Sequence, residues 1–192
     1  MHADLERISA ELTEAQARMH RLAESVDDVT WTSPPPRGGW SMDECVAHLT
    51  LTNQRYLPVF DAAIDQAPAF NDDADGKPDV PERFRRDLAG WFLTRMMEPP
   101  VRMRAPTAPP FEPPGPASRA ATVAAFDATQ AAILDRIRDM DGLNIMTIRI
   151  RSPFNASLRY SAWSALCILA AHERRHIWQA EQVRDALARQ SA

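Results

Sequence analysis

The sequence predicts an all-α protein, a four-helix bundle in which a long proline-rich crossover separates the second helix from the third. Three observations lead to this fold class. Four segments repeat apolar residues every three or four positions, as amphipathic helices do. Strand-like patterning is confined to one short run. Of the 16 prolines, 11 fall between residues 68 and 116, outside those four segments.

The first predicted helix covers about residues 3 to 28. Its apolar stripe begins at Leu5 and continues to Val29 at alternating spacings of three and four. A run of three prolines beginning at Pro34 then ends any helix, because proline lacks the amide donor that a helix needs.

The second predicted helix begins after Ser41, where the sequence Ser-Met-Asp-Glu forms a capping box. In such a box the Ser41 hydroxyl accepts from the Glu44 amide, and the Glu44 carboxylate accepts from the Ser41 amide. Trp40 precedes the cap, in the position of a hydrophobic staple. The apolar pattern continues to about Ile64, past Pro58, although a proline inside a helix kinks or ends it.

Residues 68 to 116 form the crossover, which is too long for a tight turn and is expected to run from one end of the bundle to the other. Residues 81 to 98 within it are predicted to form one extra short helix, with Pro81 at the first helical position. Its predicted apolar face consists of Phe84, Leu88, Trp91, Phe92 and Met96.

The third helix is predicted to begin at a cap on Ser118 or Thr122 and to end at Gly142. Residues 145 to 150 are β-prone but isolated, so they predict a strand-like connector and no sheet. The fourth helix is predicted over about residues 159 to 188. The predicted core residues are Leu12, Met19, Leu49, Phe126, Ile133, Leu166 and Leu169.

Composition bears on the classes of partner. Lys and Arg total 22 against 26 Asp and Glu, so a net charge of -4 gives no electrostatic reason to expect nucleic acid or an anionic membrane. No signal peptide is visible, and no apolar stretch approaches the roughly 20 residues that span a bilayer. Cys45 and Cys167 have apolar surroundings typical of reduced core thiols. We expect one cytoplasmic domain over residues 1 to 192.

Two histidines interrupt the apolar stripe of the fourth helix. His172 and His176 are four residues apart, which places them about 40° apart around the helix, so both rings point the same way. Buried imidazoles must be hydrogen-bonded or must bind something. One interpretation is a pair of core histidines with polar neighbours. The other, which the spacing favours, is a shared metal ion.

A metal site needs a third ligand, and His48 is the only other histidine within an apolar helical stripe. His20 lies beside the stripe of the first helix and His2 is terminal, so both are expected on the surface. Glu173 and Gln179 are candidates to orient a ligand ring or a bound water. Further candidates, which would line the pocket, are Cys45 and Thr52; for Cys45 a packed core thiol is the favoured alternative.

The string HERRH, from His172 to His176, also matches the HExxH pattern of zinc metallopeptidases, in which the glutamate is the general base. Those enzymes take their third ligand from further downstream, whereas only 16 residues follow His176 here. The sequence also predicts no sheet that could bind a peptide. The peptidase is therefore the weaker interpretation.

Two segments around these histidines resemble the motifs of the DinB-like superfamily. Residues 40 to 49 read WSMDECVAHL and resemble the segment around its first metal-binding histidine. Residues 172 to 179 read HERRHIWQ and resemble its C-terminal segment, which carries two more. The sequence Ser-Pro-Phe at residues 152 to 154 is similar to the family's linker. The resemblance covers helices one, two and four and is weaker over residues 66 to 116.

This resemblance implies a four-helix bundle that is frequently a homodimer and that binds one divalent ion, commonly nickel or zinc, through His48, His172 and His176. Some members of the family are transferases or isomerases that use a low-molecular-weight thiol, and many others have no assigned activity. A metal ion held by three neutral imidazoles keeps its charge and lowers the pKa of a bound water or thiol.

The leading hypothesis for function is therefore a thiol-dependent transferase or isomerase acting on a small electrophile. Two alternatives stay open. One is a non-catalytic bundle in which the metal joins helix two to helix four, and the other is a metal-dependent hydrolase.

Overall fold

The computed structural model describes residues 1–72, 76, 79–100, 107–115 and 117–190. Helices account for most of these residues, so the predicted all-α class is confirmed. The helices are α1 (Ala3–Glu24), α2 (Asp28–Thr32), α3 (Met42–Gln66), α4 (Leu88–Met97), α5 (Arg119–Asp139) and α6 (Ala162–Gln190), with a 3-10 turn at Pro109–Phe111. The strands are β1 (Arg149–Arg151) and β2 (Arg159–Ser161).

Four long helices, α1, α3, α5 and α6, form the predicted bundle. Both α1 and α3 pack against α5 and against α6, so α1 lies diagonally opposite α3, and α5 lies diagonally opposite α6. All seven predicted core residues are fully buried between them. None of the helices in the described ranges is long and apolar enough to cross a membrane.

The start of α3 matches the predicted capping box. The Glu44 amide donates to Ser41 Oγ at 3.2 Å, and the Ser41 amide donates to Glu44 Oε2 at 2.8 Å. Next to this cap the buried carboxylate of Asp43 accepts from the Trp31 indole at 3.1 Å and from the Thr122 hydroxyl. These bonds join the start of α3 to α2 and α5. They therefore fix the register of the helix that carries His48.

The first helix is shorter than predicted. It ends at Glu24, and α2 follows as a separate short helix whose cap, Asp27, accepts from the Thr30 amide at 2.7 Å. Trp31 in α2 is fully buried, whereas Val29 is exposed. Extending the stripe to Val29 was therefore wrong, because the first helix ends at Glu24 and a new cap at Asp27 begins a separate one.

The extra helix in the crossover begins later than predicted. Asp87 caps it by accepting from the Gly90 amide at 2.7 Å, so Pro81 is not its first residue. The predicted apolar face was also wrong except for Phe84, which is buried ahead of the helix. The other four members of that face are exposed: Leu88, Trp91, Phe92 and Met96.

The packing of α4 on α6 explains why the apolar side chains of α4 are exposed. Gly90 lies so close to Ser164 that a Cβ added to the glycine would be 2.2 Å from Ser164 Oγ. The small face of α4, with Gly90 and Thr94, therefore packs inward and leaves the apolar face in solvent.

A small sheet replaces the predicted connector. β1 pairs with β2 in antiparallel register, with Ile150 opposite Tyr160, so the expectation of no sheet was wrong. Because residues 159–161 belong to β2, α6 begins at Ala162. The Ser161 hydroxyl accepts from the Ser164 amide at 3.1 Å and caps the new helix.

Candidate metal centre

Three histidines meet where α3 packs on α6. His48 comes from α3, and His172 and His176 come from successive turns of α6. One ring nitrogen from each lies within 4.8 Å of the other two, and all three residues are buried. The Nε2 atoms of His48 and His172 are 3.2 Å apart. The structure thus brings together the three histidines that the sequence predicted as ligands.

This arrangement fits a divalent metal ion. Two imidazole nitrogens that share a tetrahedral zinc ion, each about 2.0–2.1 Å from it, lie roughly 3.3 Å apart. The observed separation of 3.2 Å between the Nε2 atoms of His48 and His172 is close to that value. The Nδ1 atoms of His172 and His176 are buried without a hydrogen-bond partner among the described residues. Buried polar atoms are rarely left unpaired, and it is the facing Nε2 atoms of His48 and His172 whose separation a shared ion would account for.

The charge state of the rings also suits a metal. Burial is the largest cause that lowers the pKa of His48, and it lowers the pKa of His172 and His176 well below the ordinary value. The positive charge of Arg175 lowers the pKa of all three further. The rings are therefore neutral at pH 7, which is the form that binds a metal ion.

The crossover orients one of these ligands. Nδ1 of His48 lies 2.8 Å from the carbonyl oxygen of Phe111, in the 3-10 turn. Because a carbonyl oxygen can only accept, Nδ1 carries the proton and Nε2 presents its lone pair to the site. Sequence analysis missed this contact, since a backbone carbonyl can be offered by any residue type and leaves no signal in the sequence.

Aromatic rings enclose the three histidines. The Trp40 ring lies 4.8 Å from His48 and 5.8 Å from His176, measured between ring centroids. On the other side Phe154 lies 5.6 Å from His172 and 4.5 Å from Phe111. Trp40 and Phe154 stand in the segments that resemble family motifs, but their contacts with the histidines were not predicted.

A model of the DinB superfamily matches residues 11–180. The chain belongs to the DinB superfamily. The match spans both segments that carry the three histidines, and in the structure these histidines form a buried group that could hold a metal ion. No curated protein and no solved structure matches the chain.

In this DinB-superfamily chain the three-histidine group borders an open cleft of about 1000 Å³. His176 lines the cleft together with Arg175, Trp178 and Gln179 from α6, and Trp40 contributes from the start of α3. Gln179 hydrogen-bonds the His176 ring, which raises the pKa of that histidine against the larger effect of burial. A ligand in the cleft would therefore reach the three-histidine group from the side of His176.

Glu173 does not point toward the cleft. Its carboxylate is fully buried and accepts from Asn53 Nδ2 at 3.0 Å and from Gln130 Nε2 at 2.9 Å. Burial raises the pKa of Glu173 to about 7. These contacts join α6 to α3 and α5, and they engage both oxygens of the carboxylate. Its predicted role beside a ligand ring or water stays a prediction.

The two residues predicted to line the pocket lie in the core. Cys45 is fully buried, and burial raises the pKa of its thiol far above the ordinary value. Thr52 is also fully buried, and its hydroxyl donates to the His48 carbonyl oxygen at 2.9 Å. The residues that border the cleft do not include Cys45 or Thr52.

The two remaining histidines lie away from the site. His20 has 41% of its side chain exposed, and its Nε2 lies 2.8 Å from Asp127 Oδ1. His2 is half-buried: its Nδ1 accepts from the Asp4 amide at 3.1 Å and its ring stacks on Phe84. His2 is therefore a partly buried helix cap, whereas a surface position was expected.

Proposed function

We propose that this chain is a divalent-metal enzyme that transfers a low-molecular-weight thiol to a small electrophile, or isomerises that electrophile through thiol addition. The observation that supports this function is a three-histidine group with one member, His176, in the wall of a cleft of about 1000 Å³. Structural zinc sites have four protein ligands, whereas catalytic sites have three and keep an open position. The described residues offer three.

Three neutral imidazoles would hold the ion, with His48 oriented by the Phe111 carbonyl oxygen. A bound nickel or zinc ion would act as a Lewis acid that lowers the pKa of a thiol in the cleft. Trp40 and Phe154 cover the rings on two sides and limit access by water. The remaining approach, beside His176, is the cleft.

In the transfer, the thiol sulfur forms a carbon–sulfur bond with the electrophilic carbon. The leaving group departs with the electron pair of the bond that breaks, and the thiol proton passes to water in the cleft. Two nearby carboxylates are already engaged, because Glu173 is hydrogen-bonded inside the bundle and Glu44 belongs to the cap of α3, whereas Glu112 lines the cleft itself. An isomerase would complete its cycle by expelling the same thiol from the carbon after rearrangement.

Two measurements test this proposal. Elemental analysis of the purified protein should find about one first-row divalent ion per chain. The metal-loaded protein is then assayed with a chromogenic electrophile, with and without several biological thiols. Turnover that needs both metal and thiol supports the proposal, and His176→Ala should abolish it while His20→Ala retains it.

The other outcomes separate the alternatives. Hydrolysis of a substrate without thiol would replace the proposal with a metal-dependent hydrolase. Full metal occupancy with neither activity would favour a non-catalytic bundle in which the ion joins α3 to α6. Full retention of metal by both His172→Ala and His176→Ala would overturn the metal site itself.

A further inference from the structure

The cleft beside His176 carries an excess of positive charge. Three arginines line it, Arg37, Arg175 and Arg189, together with two glutamates, Glu44 and Glu112. The carboxylate of Glu44 accepts the amide of the α3 cap at 2.8 Å, so it is oriented toward the backbone. A divalent ion on the three histidines would add two further positive charges at the inner end. Such a cleft attracts an anion.

Arg175 is the cleft arginine that is adjacent in sequence to His176. It follows Arg174 on α6, but the two side chains leave the helix in different directions. Arg174 pairs with Glu11 and Glu98 on the outside of the bundle. Arg175 is half-buried in the wall of the cleft, next to His176, and its Nη1 lies 4.0 Å from the sulfur of Met97. A permanent positive charge is thus placed beside the reacting region.

The lining of the cleft suits an aromatic anion. Trp40 and Trp178 provide aromatic surface on its walls. A guanidinium group presents parallel N–H donors that match the two oxygens of a carboxylate, and such bonds are among the strong ones in proteins. A small ligand could place its carboxylate on Arg175 and its reacting atom beside His176, because the two residues are adjacent in the same wall.

We propose that the cleft recognises a carboxylate-bearing ligand and that Arg175 binds its carboxylate, which makes Arg175 the specificity-determining residue of the site. This inference rests on the proposed function for the identity of the reaction, although carboxylate binding can be measured without turnover. The carboxylate belongs to the thiol or to the electrophile. These two sources share one chemistry and are separated by the second experiment below.

The first experiment measures binding to the zinc-loaded protein. Benzoate and its uncharged analogue benzyl alcohol are titrated while tryptophan fluorescence is followed, since two tryptophans line the cleft. Arg175→Gln should weaken benzoate binding about tenfold or more, the usual loss for a charge-assisted hydrogen bond, and should leave benzyl alcohol unchanged. The benzoate affinity of Arg175→Lys should lie between those of the native protein and Arg175→Gln, because lysine keeps the charge and loses the paired donors.

Arg151→Gln is the matched control, since Arg151 is an exposed arginine on β1 and does not line this cleft. It should bind benzoate like the native protein. Equal benzoate affinity in native protein and Arg175→Gln would overturn the inference, because the anion would then bind the zinc alone. If Arg175→Gln does not fold, the same titration is made on Arg175→Lys. A benzoate affinity equal to that of the native protein would then overturn the paired contact.

The second experiment measures turnover with matched reagents. The thiols are 3-mercaptopropionate and 2-mercaptoethanol, and the electrophiles are 4-chloro-3-nitrobenzoate and 1-chloro-2,4-dinitrobenzene. If Arg175→Gln raises KM only for 3-mercaptopropionate, the recognised carboxylate belongs to the thiol. If it raises KM only for 4-chloro-3-nitrobenzoate, the carboxylate belongs to the electrophile. Equal loss for charged and uncharged reagents would overturn the inference. Absence of turnover in all forms contradicts the proposed function and leaves the binding result to decide this inference.

Discussion

Removing metal should lower the melting temperature of this protein only if His48 completes the site. His172 and His176 lie on one helix and could bind an ion weakly in any context. His48 lies 124 residues before His172 in sequence, and meets it only because α3 packs on α6. Metal binding by all three rings is therefore linked to folding, whereas binding by the α6 pair alone is not.

The expected size follows from this linkage. A ligand that binds only the folded state stabilises it by about 4 kcal/mol at a thousandfold excess over Kd. For a chain of this length each kcal/mol shifts the melting temperature by roughly 2–4 °C, so chelation should lower that of the native protein by about 8–16 °C. His48→Ala also loses packing in the core, so the informative quantity is the shift on chelation within each variant.

The assay is thermal unfolding followed by circular dichroism. Each variant is measured once with a saturating concentration of metal and once with chelator. His48→Ala should show little shift, because it already binds metal poorly. His20→Ala is the control and should shift like the native protein, since His20 is partly exposed and contacts Asp127. A full shift that persists in His48→Ala and disappears in His20→Ala would refute the choice of third ligand.

Three further predictions concern the bundle and its surface. Leu49→Ala and Leu169→Ala should each cost about 2–5 kcal/mol, because both are fully buried, and unchanged melting temperatures would contradict the assigned core. Cys45 and Cys167 should resist iodoacetamide until the protein is unfolded, because burial raises the pKa of both thiols, that of Cys167 to about 12. Rapid labelling of the folded protein would show that the thiols are accessible. The homodimer remains a prediction, and we expect its interface to include α4, where 54% of Trp91 is exposed. If the native protein sediments as a dimer, Trp91→Glu should sediment as a monomer.

The sequence predicted those parts of the structure whose signals are local. The capping box at Ser41 fixed the start of α3, because a cap is satisfied by residues three apart. His172 and His176 were placed on one buried face by helical periodicity alone. His48 was selected because it stands in an apolar stripe. A metal ligand set can be inferred in this way when each ligand interrupts a stripe that must face the core.

Features that depend on distant partners were predicted poorly. The apolar face of α4 was assigned to the core, but the close approach of Gly90 to Ser164 turns that face outward. β1 was taken as a connector because its partner strand, only three residues long, was hidden in the start of the predicted fourth helix. Periodicity gives the apolar face of a helix, but it does not give the neighbour on which the helix packs.

The crossover contacts both segments that carry the histidines, through a backbone atom at His48 and through side chains at the two arginines of α6. The Phe111 carbonyl oxygen holds His48 on α3, while Met97 and Glu98 contact Arg175 and Arg174 on α6. A backbone acceptor survives substitution of its own side chain, so the residues of the 3-10 turn can vary while the ligand keeps its orientation. Side chains of the crossover can therefore change the wall of the cleft without changing the ligand set. On the proposed function, metal binding would be fixed by α3 and α6, and the crossover would take part in ligand selection.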